Sequence, residues 1–354
     1  MRIGIFDPYL NDLGGGEKYM ITLAECLSKG NSVDVFWDNK EDLSKVAERF
    51  ALDISKISLR ENIFSSKYPF LKRCLNSLEY DVIIVLSDGS IPFLLCKKLF
   101  IHFQQPFPNV RVSLKTSLKK MRVNSFFCNS IFTKSFIDKE FGITSEVIYP
   151  PVNVDFKKSK KENIILHVGR FRAINIGSRD YKKQEIMVDV FKKMVDRGLK
   201  DWKFILAVGL SESDESKFNK LKEKAKGYPI EIIENPANEI LWNYYSRSKI
   251  YWHASGYGEN LDKNPELAEH FGISTVEAMA AGVVPVVINA GGQKEIVING
   301  KSGYLWTTPE DCMEKTNDLI INKELMKEMS ANAKERANKF AGERFCKELK
   351  EIIV

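Results

Sequence analysis

No apolar run in the chain approaches the roughly 20 residues that a membrane-spanning helix needs. The six cysteines, Cys26, Cys74, Cys96, Cys128, Cys312 and Cys346, are scattered and form no C-x-x-C, so buried thiols in a reducing compartment are the expectation. G-x-G-x-x-G is missing as well. Leu13-Gly14-Gly15-Gly16 lacks that spacing, which argues against a dinucleotide-dependent dehydrogenase. Neither charge sign is in large excess: 53 basic and 47 acidic residues leave +6, which does not demand nucleic acid, and no zinc-finger or aromatic-basic signature is present. The first residues, MRIGIFDPYL, begin a strand that Asp7 and Pro8 interrupt before a signal-peptide core forms. A cytoplasmic protein is expected, with peripheral membrane contact left open.

What is present describes an α/β protein with room for two domains in 354 residues. Hydrophobic residues make up 44% and charged residues 28%, as in a globular chain. Residues 3–6 form a short apolar strand, a turn-rich loop ends in GGGEKY, and residues 17–27 carry Met20, Leu23, Ala24 and Leu27 at helical spacing. Strand, glycine loop and helix make the first unit of a Rossmann-like domain. Further strands are expected at 32–37, 81–86 and 99–103, whereas residues 40–80 give no clear assignment. His102 lies at the end of the 99–103 strand, where open α/β sheets place ligands. A second set of strands is expected at 163–168, 203–209, 230–233, 249–253 and 283–288.

One charge pattern stands apart. No acidic residue occurs between Asp88 and Asp138, while Lys97, Lys98, Arg111, Lys115, Lys119, Lys120, Arg122 and Lys134 lie in that span. Residues 111–123 read as a basic helix with Val112, Leu114, Leu118 and Met121 on its apolar side. Two explanations stand: a solvated face over a core contact, or docking to an anionic lipid surface or lipid-phosphate acceptor. Phe70-Leu71-Lys72-Arg73 is a candidate for the same surface.

The most informative stretch is AEHFGISTVEAMAAG, residues 268–282. Glu269 and Glu277 are eight positions apart, around a Phe271-Gly272 turn and the start of a helix. Backbone N–H groups of Phe271, Gly272, Ile273 and Ser274 would form an anion site at that helix N-terminus. Glu277 would reach a ribose or sugar hydroxyl from the first turns of the helix. With Pro285 and Gly291-Gly292 downstream, the stretch resembles the retaining nucleotide-sugar glycosyltransferases of family four.

That resemblance implies a GT-B fold, with two Rossmann-like domains facing across a cleft and a C-terminal helix returning to the first. The expected limits are residues 1–156 for the acceptor-side domain, 157–335 for the donor domain and 336–354 for the returning helix. The resemblance gives each candidate a role. Arg170, after the first strand of the second domain, and Lys183, preferred over Lys182 before the next helix, would hold the donor diphosphate. The leaving group is an anion, and a planar Arg with a compact Lys suits it. Glu277 would bind the ribose, and Glu269 would contact the sugar and stabilise positive charge at the reacting carbon. His102 and the loop of Gly15, Gly16 and Glu17 would frame the acceptor and the donor phosphates. No cofactor and no metal are expected, there being no Asp-x-Asp in a suitable loop.

Locally, EHFGI is similar to mannosyltransferases that extend a lipid-linked oligosaccharide from GDP-mannose. Hexosyl transfer, with mannose as leading sugar, to a glycan or lipid-phosphate-linked acceptor is therefore expected. UDP-sugar transfer, an epimerase of the same fold and a non-catalytic nucleotide-sugar scaffold are the alternatives. Residues 255–266, polar and glycine-containing, read as a long insertion suited to a lid or an acceptor contact.

Overall fold

The computed structural model describes residues 1–12, 14–110, 112–152, 159–171 and 182–353. Arg111, residues 153–158 and the 172–181 loop lie outside the described residues. The chain divides into two compact units, Met1–Pro151 together with Gly342–Val354, and Val152–Ala341.

The first unit runs β1 (Arg2–Phe6), α1 (Gly15–Ser28), β2 (Ser32–Phe36), α2 (Lys40–Phe50), β3 (Ile57–Arg60), α3 (Phe70–Ser77), β4 (Val82–Leu86), β5 (Lys98–Phe103), α4 (Leu114–Lys120), β6 (Ser125–Cys128), α5 (Ile131–Phe141) and β7 (Glu146–Val147). Its seven strands lie in the order β3-β2-β1-β4-β5-β6-β7, and all pairs are parallel. Parallel strands are covered on both faces, which is why β4 is VIIVL without a polar residue and is buried along its length. One apolar layer holds Leu23 and Leu27 of α1 with Phe345, Leu349 and Ile353 of the last helix, α13 (Gly342–Ile353). The other holds Cys74 of α3, Ile137 and Phe141 of α5, and Leu94, Leu99 and Ile101.

The second unit runs β8 (Ile164–Arg170), α6 (Gln184–Asp196), β9 (Lys203–Gly209), α7 (Glu215–Ala225), β10 (Ile230–Glu234), α8 (Asn238–Arg247), β11 (Ile250–His253), α9 (Ile273–Ala280), β12 (Val284–Ile288), α10 (Gln293–Ile296), β13 (Tyr304–Trp306), α11 (Pro309–Ile321) and α12 (Lys323–Ala337). Its six parallel strands are ordered β10-β9-β8-β11-β12-β13. Pro285 sits inside this sheet although it cannot donate to a ladder. Its neighbour β13 begins only opposite Val286, and Gly303 leaves room for the proline ring, since a Cβ there would fall 2.5 Å from Pro285 Cγ.

Two expectations need correction. Cys26 of α1 and Cys346 of α13 form a disulfide with Cα atoms 5.4 Å apart, while Cys74, Cys96, Cys128 and Cys312 are buried free thiols. The pair is 320 positions apart, so spacing alone does not reveal it. The basic helix is shorter than expected: Ser113 caps it by accepting the Thr116 N–H, and it ends at Lys120. Its apolar residues also do not cover a core. Leu114, Leu118 and Met121 are 87%, 66% and 83% exposed. No described helix is long and apolar enough to cross a membrane.

Candidate active site

The second unit's site is built where β8, β11 and β12 end. Gly272, at φ 118°, turns the chain into α9, a conformation that suits glycine. A Cβ at Gly272 would also fall 2.6 Å from Gln293 Nε2. The first amides of α9 have no partner within the helix and are directed out of its N-terminus. Gly291 and Gly292 are small for a related reason: the 269–271 turn rests on them, and a Cβ on Gly292 would lie 2.5 Å from Phe271 Cα. The Gly292 N–H donates to Glu269 O at 2.8 Å, which fixes the turn. The helix begins at Ile273, within the 271–274 stretch expected to form its N-terminus.

Glu269 is the electrostatic centre. Its Oε2 accepts from Lys182 Nζ at 2.6 Å and from His253 Nε2 at 2.9 Å. Burial alone would raise its carboxyl, but Lys182 and His253 outweigh burial and hold it well below the usual carboxylate range. His253 is shifted downward by burial, against the pull of Glu269, so the neutral ring donates its Nε2–H. Its Nδ1 accepts from the Ser255 N–H at 3.4 Å, which agrees with that tautomer. Behind it, His167 is pushed down to about 3 by burial and gives Nδ1–H to Trp252 O at 3.0 Å.

The two adjacent lysines serve different carboxylates. Lys182 pairs with Glu269, and Lys183 pairs with Glu259 at 2.6 Å. The cause is backbone: Lys183 stands at φ 56°, in the left-handed region, at the cap of α6. That conformation turns neighbouring side chains apart. Arg170 closes β8, and Gln184 Nε2 approaches its carbonyl at 3.5 Å. Glu277 lies one turn inside α9, and its Oε2 accepts from Tyr245 O–H at 3.1 Å. The same hydroxyl lies 3.3 Å from Ser274 O, and Ser274 Oγ is 2.8 Å from Tyr251 O–H.

Sequence reasoning passed over Lys182, His253, Tyr245 and Gln293. The last is fully buried, and neither Oε1 nor Nε2 finds a hydrogen-bond partner within the described residues. A side-chain amide left unsatisfied next to a helix N-terminus is costly unless a ligand completes it. The available signal was its place directly after Gly291-Gly292.

The first unit's candidates have another character. Glu17 reaches back to accept the Gly14 N–H at the start of α1 and is buried, so it has a local structural task in addition to any ligand. Gly16 is held by Gln104, whose Nε2 donates to Gly16 O at 3.2 Å; a Cβ there would lie 2.5 Å from Gln104 Oε1. Gly15 opens α1. His102 is fully buried between the rings of Tyr19 and Phe127, at centroid distances of 4.3 and 4.4 Å. It gives Nδ1–H to Phe127 O at 3.1 Å, Nε2 has no partner among the described residues, and burial pushes it down to about 3. Asp7, where β1 ends, was not singled out. Burial first, and Glu17 second, raise its carboxyl to about 8; Oδ1 takes the Tyr9 N–H, and Oδ2 is buried without a described partner.

The family model of the group 1 glycosyl transferases matches residues 153–336, more than half of the chain. The chain belongs to the group 1 glycosyltransferases. Among its relatives is the alpha-1,3/1,6-mannosyltransferase ALG2 of Dictyostelium discoideum, 26% identical over 431 residues, covering 100% of this chain and 98% of the relative. The GDP-Man:Man(3)GlcNAc(2)-PP-Dol alpha-1,2-mannosyltransferase of the same organism is 26% identical over 233 residues, which are 61% of this chain and 43% of that protein. HepE of Anabaena, solved with UDP, superposes with a TM-score of 0.76 at 18% identity, covering 99% of each chain. The transferase therefore has the GT-B fold, two Rossmann-like domains with a C-terminal helix. Among the described residues, no group of three or more His, Cys, Asp or Glu side chains is placed to hold a metal.

Proposed function

We propose that this glycosyltransferase moves mannose from GDP-mannose to a lipid-phosphate-linked glycan, with retention of anomeric configuration and without a metal. The observation that carries the donor side is the set formed by the Lys182–Glu269 pair, the Lys183–Glu259 pair and the α9 N-terminus, which lies beside the unsatisfied Gln293. Two lysines and a row of backbone amides suit a diphosphate. Lys183, with Arg170, takes the diphosphate oxygens, which requires the Glu259 carboxylate to yield its partner. Glu277 takes the ribose hydroxyls in place of, or together with, Tyr245. Lys182 keeps Glu269 ionised, so that the carboxylate faces the positive charge developing at the anomeric carbon.

The reaction is read as front-face attack. The acceptor oxygen bonds to the anomeric carbon as the bond from that carbon to the β-phosphate oxygen breaks. The acceptor's proton passes to the departing phosphate, and the protein contributes no nucleophile. Mannose is favoured by both mannosyltransferase relatives, GDP by the GDP-Man-dependent one, and both by the EHFGI turn. The first unit is given the acceptor, with His102 near the end of β5 and Gly15 and Gly16 at the start of α1, and the work is placed at a membrane surface, where a lipid-linked acceptor resides. UDP-sugar transfer is the second reading, favoured by the fold shared with a UDP-bound structure.

Incubation with radiolabelled GDP-mannose and a lipid-diphosphate disaccharide tests the reading. An α-linked mannosyl product, released by α-mannosidase, is expected. A β-linked product would overturn retention, and labelling from UDP-glucose but not GDP-mannose would overturn the donor.

A further inference from the structure

The exposed apolar residues of the transferase are unevenly placed. Sixteen large hydrophobic side chains are exposed among the described residues, and nine of them lie between positions 70 and 121. Phe70, Leu71, Leu75 and Leu78 belong to α3 and its end; Leu114, Leu118 and Met121 belong to α4 and its end. A water-exposed helix face of this kind stays unfavourable until something covers it.

The two helices lie on the same face of the first sheet. Cys74 of α3 is buried in the apolar layer that also holds Phe141, and Lys120 of α4 donates to Phe141 O. Residues 93–96 join them. Ser77 of α3 takes the Leu95 N–H at 2.8 Å, the Phe70 ring lies tilted 6.3 Å from that of Phe93, and Arg122, just after α4, donates to Cys96 O. Leu95 is itself exposed, so the apolar surface continues from one helix towards the other.

Charge says what kind of surface covers it. Lys98, Lys115 and Lys119 have no ion-pair partner among the described residues, and Lys72 lies over the Tyr68 ring. The bordering carboxylates are already engaged: Glu79 with Arg2 at 2.7 Å, Asp81 with Lys97 at 2.6 Å, and Glu140 with the Val110 N–H at 3.1 Å. Apolar side chains interleaved with unneutralised lysines, and no acid between Asp88 and Asp138, match a bilayer with anionic headgroups. A protein partner would have to be both acidic and apolar over the same area.

We infer that α3 and α4 form a docking face on which the transferase binds an anionic membrane: Leu71, Leu75, Leu114, Leu118 and Met121 enter the headgroup boundary, and Lys72, Lys115 and Lys119 contact lipid phosphates. This rests on the membrane-surface part of the proposed function and adds where and how the contact is made.

Sedimentation of the full chain with acceptor-free vesicles tests it, using phosphatidylcholine alone and phosphatidylcholine mixed with phosphatidylserine. Wild type is expected to bind the mixed vesicles at least about tenfold more tightly, since each lysine at an anionic surface contributes about a factor of five. Added salt is expected to weaken that binding. The variant with Leu114→Ser, Leu118→Ser and Met121→Ser, and separately the variant with Lys115→Glu and Lys119→Glu, are each expected to lose at least about tenfold. All the substituted positions are exposed except half-buried Lys119, and retained stabilisation by GDP verifies the fold of both variants. Equal binding to both vesicle types, or unchanged binding by both variants, overturns the inference. So does a wild-type dimer that the serine variant dissolves without any vesicle binding, because a second copy then covers the face. Failure of GDP to stabilise wild type would instead strike the donor reading and leave the vesicle result intact.

Discussion

The strand ends of the two units, alike in fold, differ in what they carry. In the first unit the polar groups are buried and uncharged at neutral pH: Asp7, raised to about 8, and His102, lowered to about 3. In the second unit the groups are charged and paired, Lys182 with Glu269 and Lys183 with Glu259. Neutral donors and acceptors suit the hydroxyls of an acceptor glycan. Cations that exchange one anion for another suit a nucleoside diphosphate. On the proposed function, the same α/β frame would supply two chemistries through a few residues at its loop ends, as expected of sites grafted on a shared fold.

The comparison is broken most severely by removing Lys182. Lys182→Ala leaves the Glu269 carboxylate and its neutral His253 partner without their cation, and loss of one member of such a pair costs about 3–5 kcal/mol. Thermal unfolding is expected to show the second unit destabilised, and Lys182→Met combined with Glu269→Gln is expected to recover much of the loss. Next comes the leaving group. Arg170→Ala, or Lys183→Ala made together with Glu259→Gln so that no carboxylate is left without its cation, is expected to lower turnover about 10²–10³-fold. Glu259→Gln is expected to tighten GDP binding, because Lys183 no longer has to leave a carboxylate. An unchanged dissociation constant would separate Lys183 from the diphosphate.

Within the first unit, reduction or Cys26→Ser is expected to cost about 2–4 kcal/mol, read as a lower melting temperature only where α13 is released from α1. The change smallest in atoms is Asp7→Asn. The folded Asp7 keeps its proton up to about 8, whereas the unfolded side chain loses it near 3.8. Stability from this group is therefore complete below about 3.8 and is lost as pH rises towards about 8. Asp7→Asn is expected to flatten that slope; an unaltered slope would place the titration elsewhere.

Much of this was legible in the residues. Central strands such as VIIVL at 82–86 announce themselves because both faces are covered. The turn at 269–272 is legible because Gly272, Gly291 and Gly292 answer to close backbone approach. Residues 40–80 were not legible: α2 is mostly charged, and β3 lies at the sheet edge with only alternate residues half-buried. The choice between Lys182 and Lys183 was beyond spacing, since the left-handed turn at Lys183, not sequence order, decides which carboxylate each one meets. The Cys26–Cys346 pair and the outward face of α4 depend on tertiary contacts that local periodicity does not contain.

The proposed function requires the second unit to bind a guanosine diphosphate sugar through Lys183 and the α9 N-terminus. Titration calorimetry of GDP and UDP into wild type and Lys183→Ala tests it most directly. GDP is expected to bind more tightly than UDP and to lose at least about tenfold in the variant, the size of one charge-assisted hydrogen bond. Equal affinities for the two nucleotides, untouched by Lys183→Ala, would contradict it.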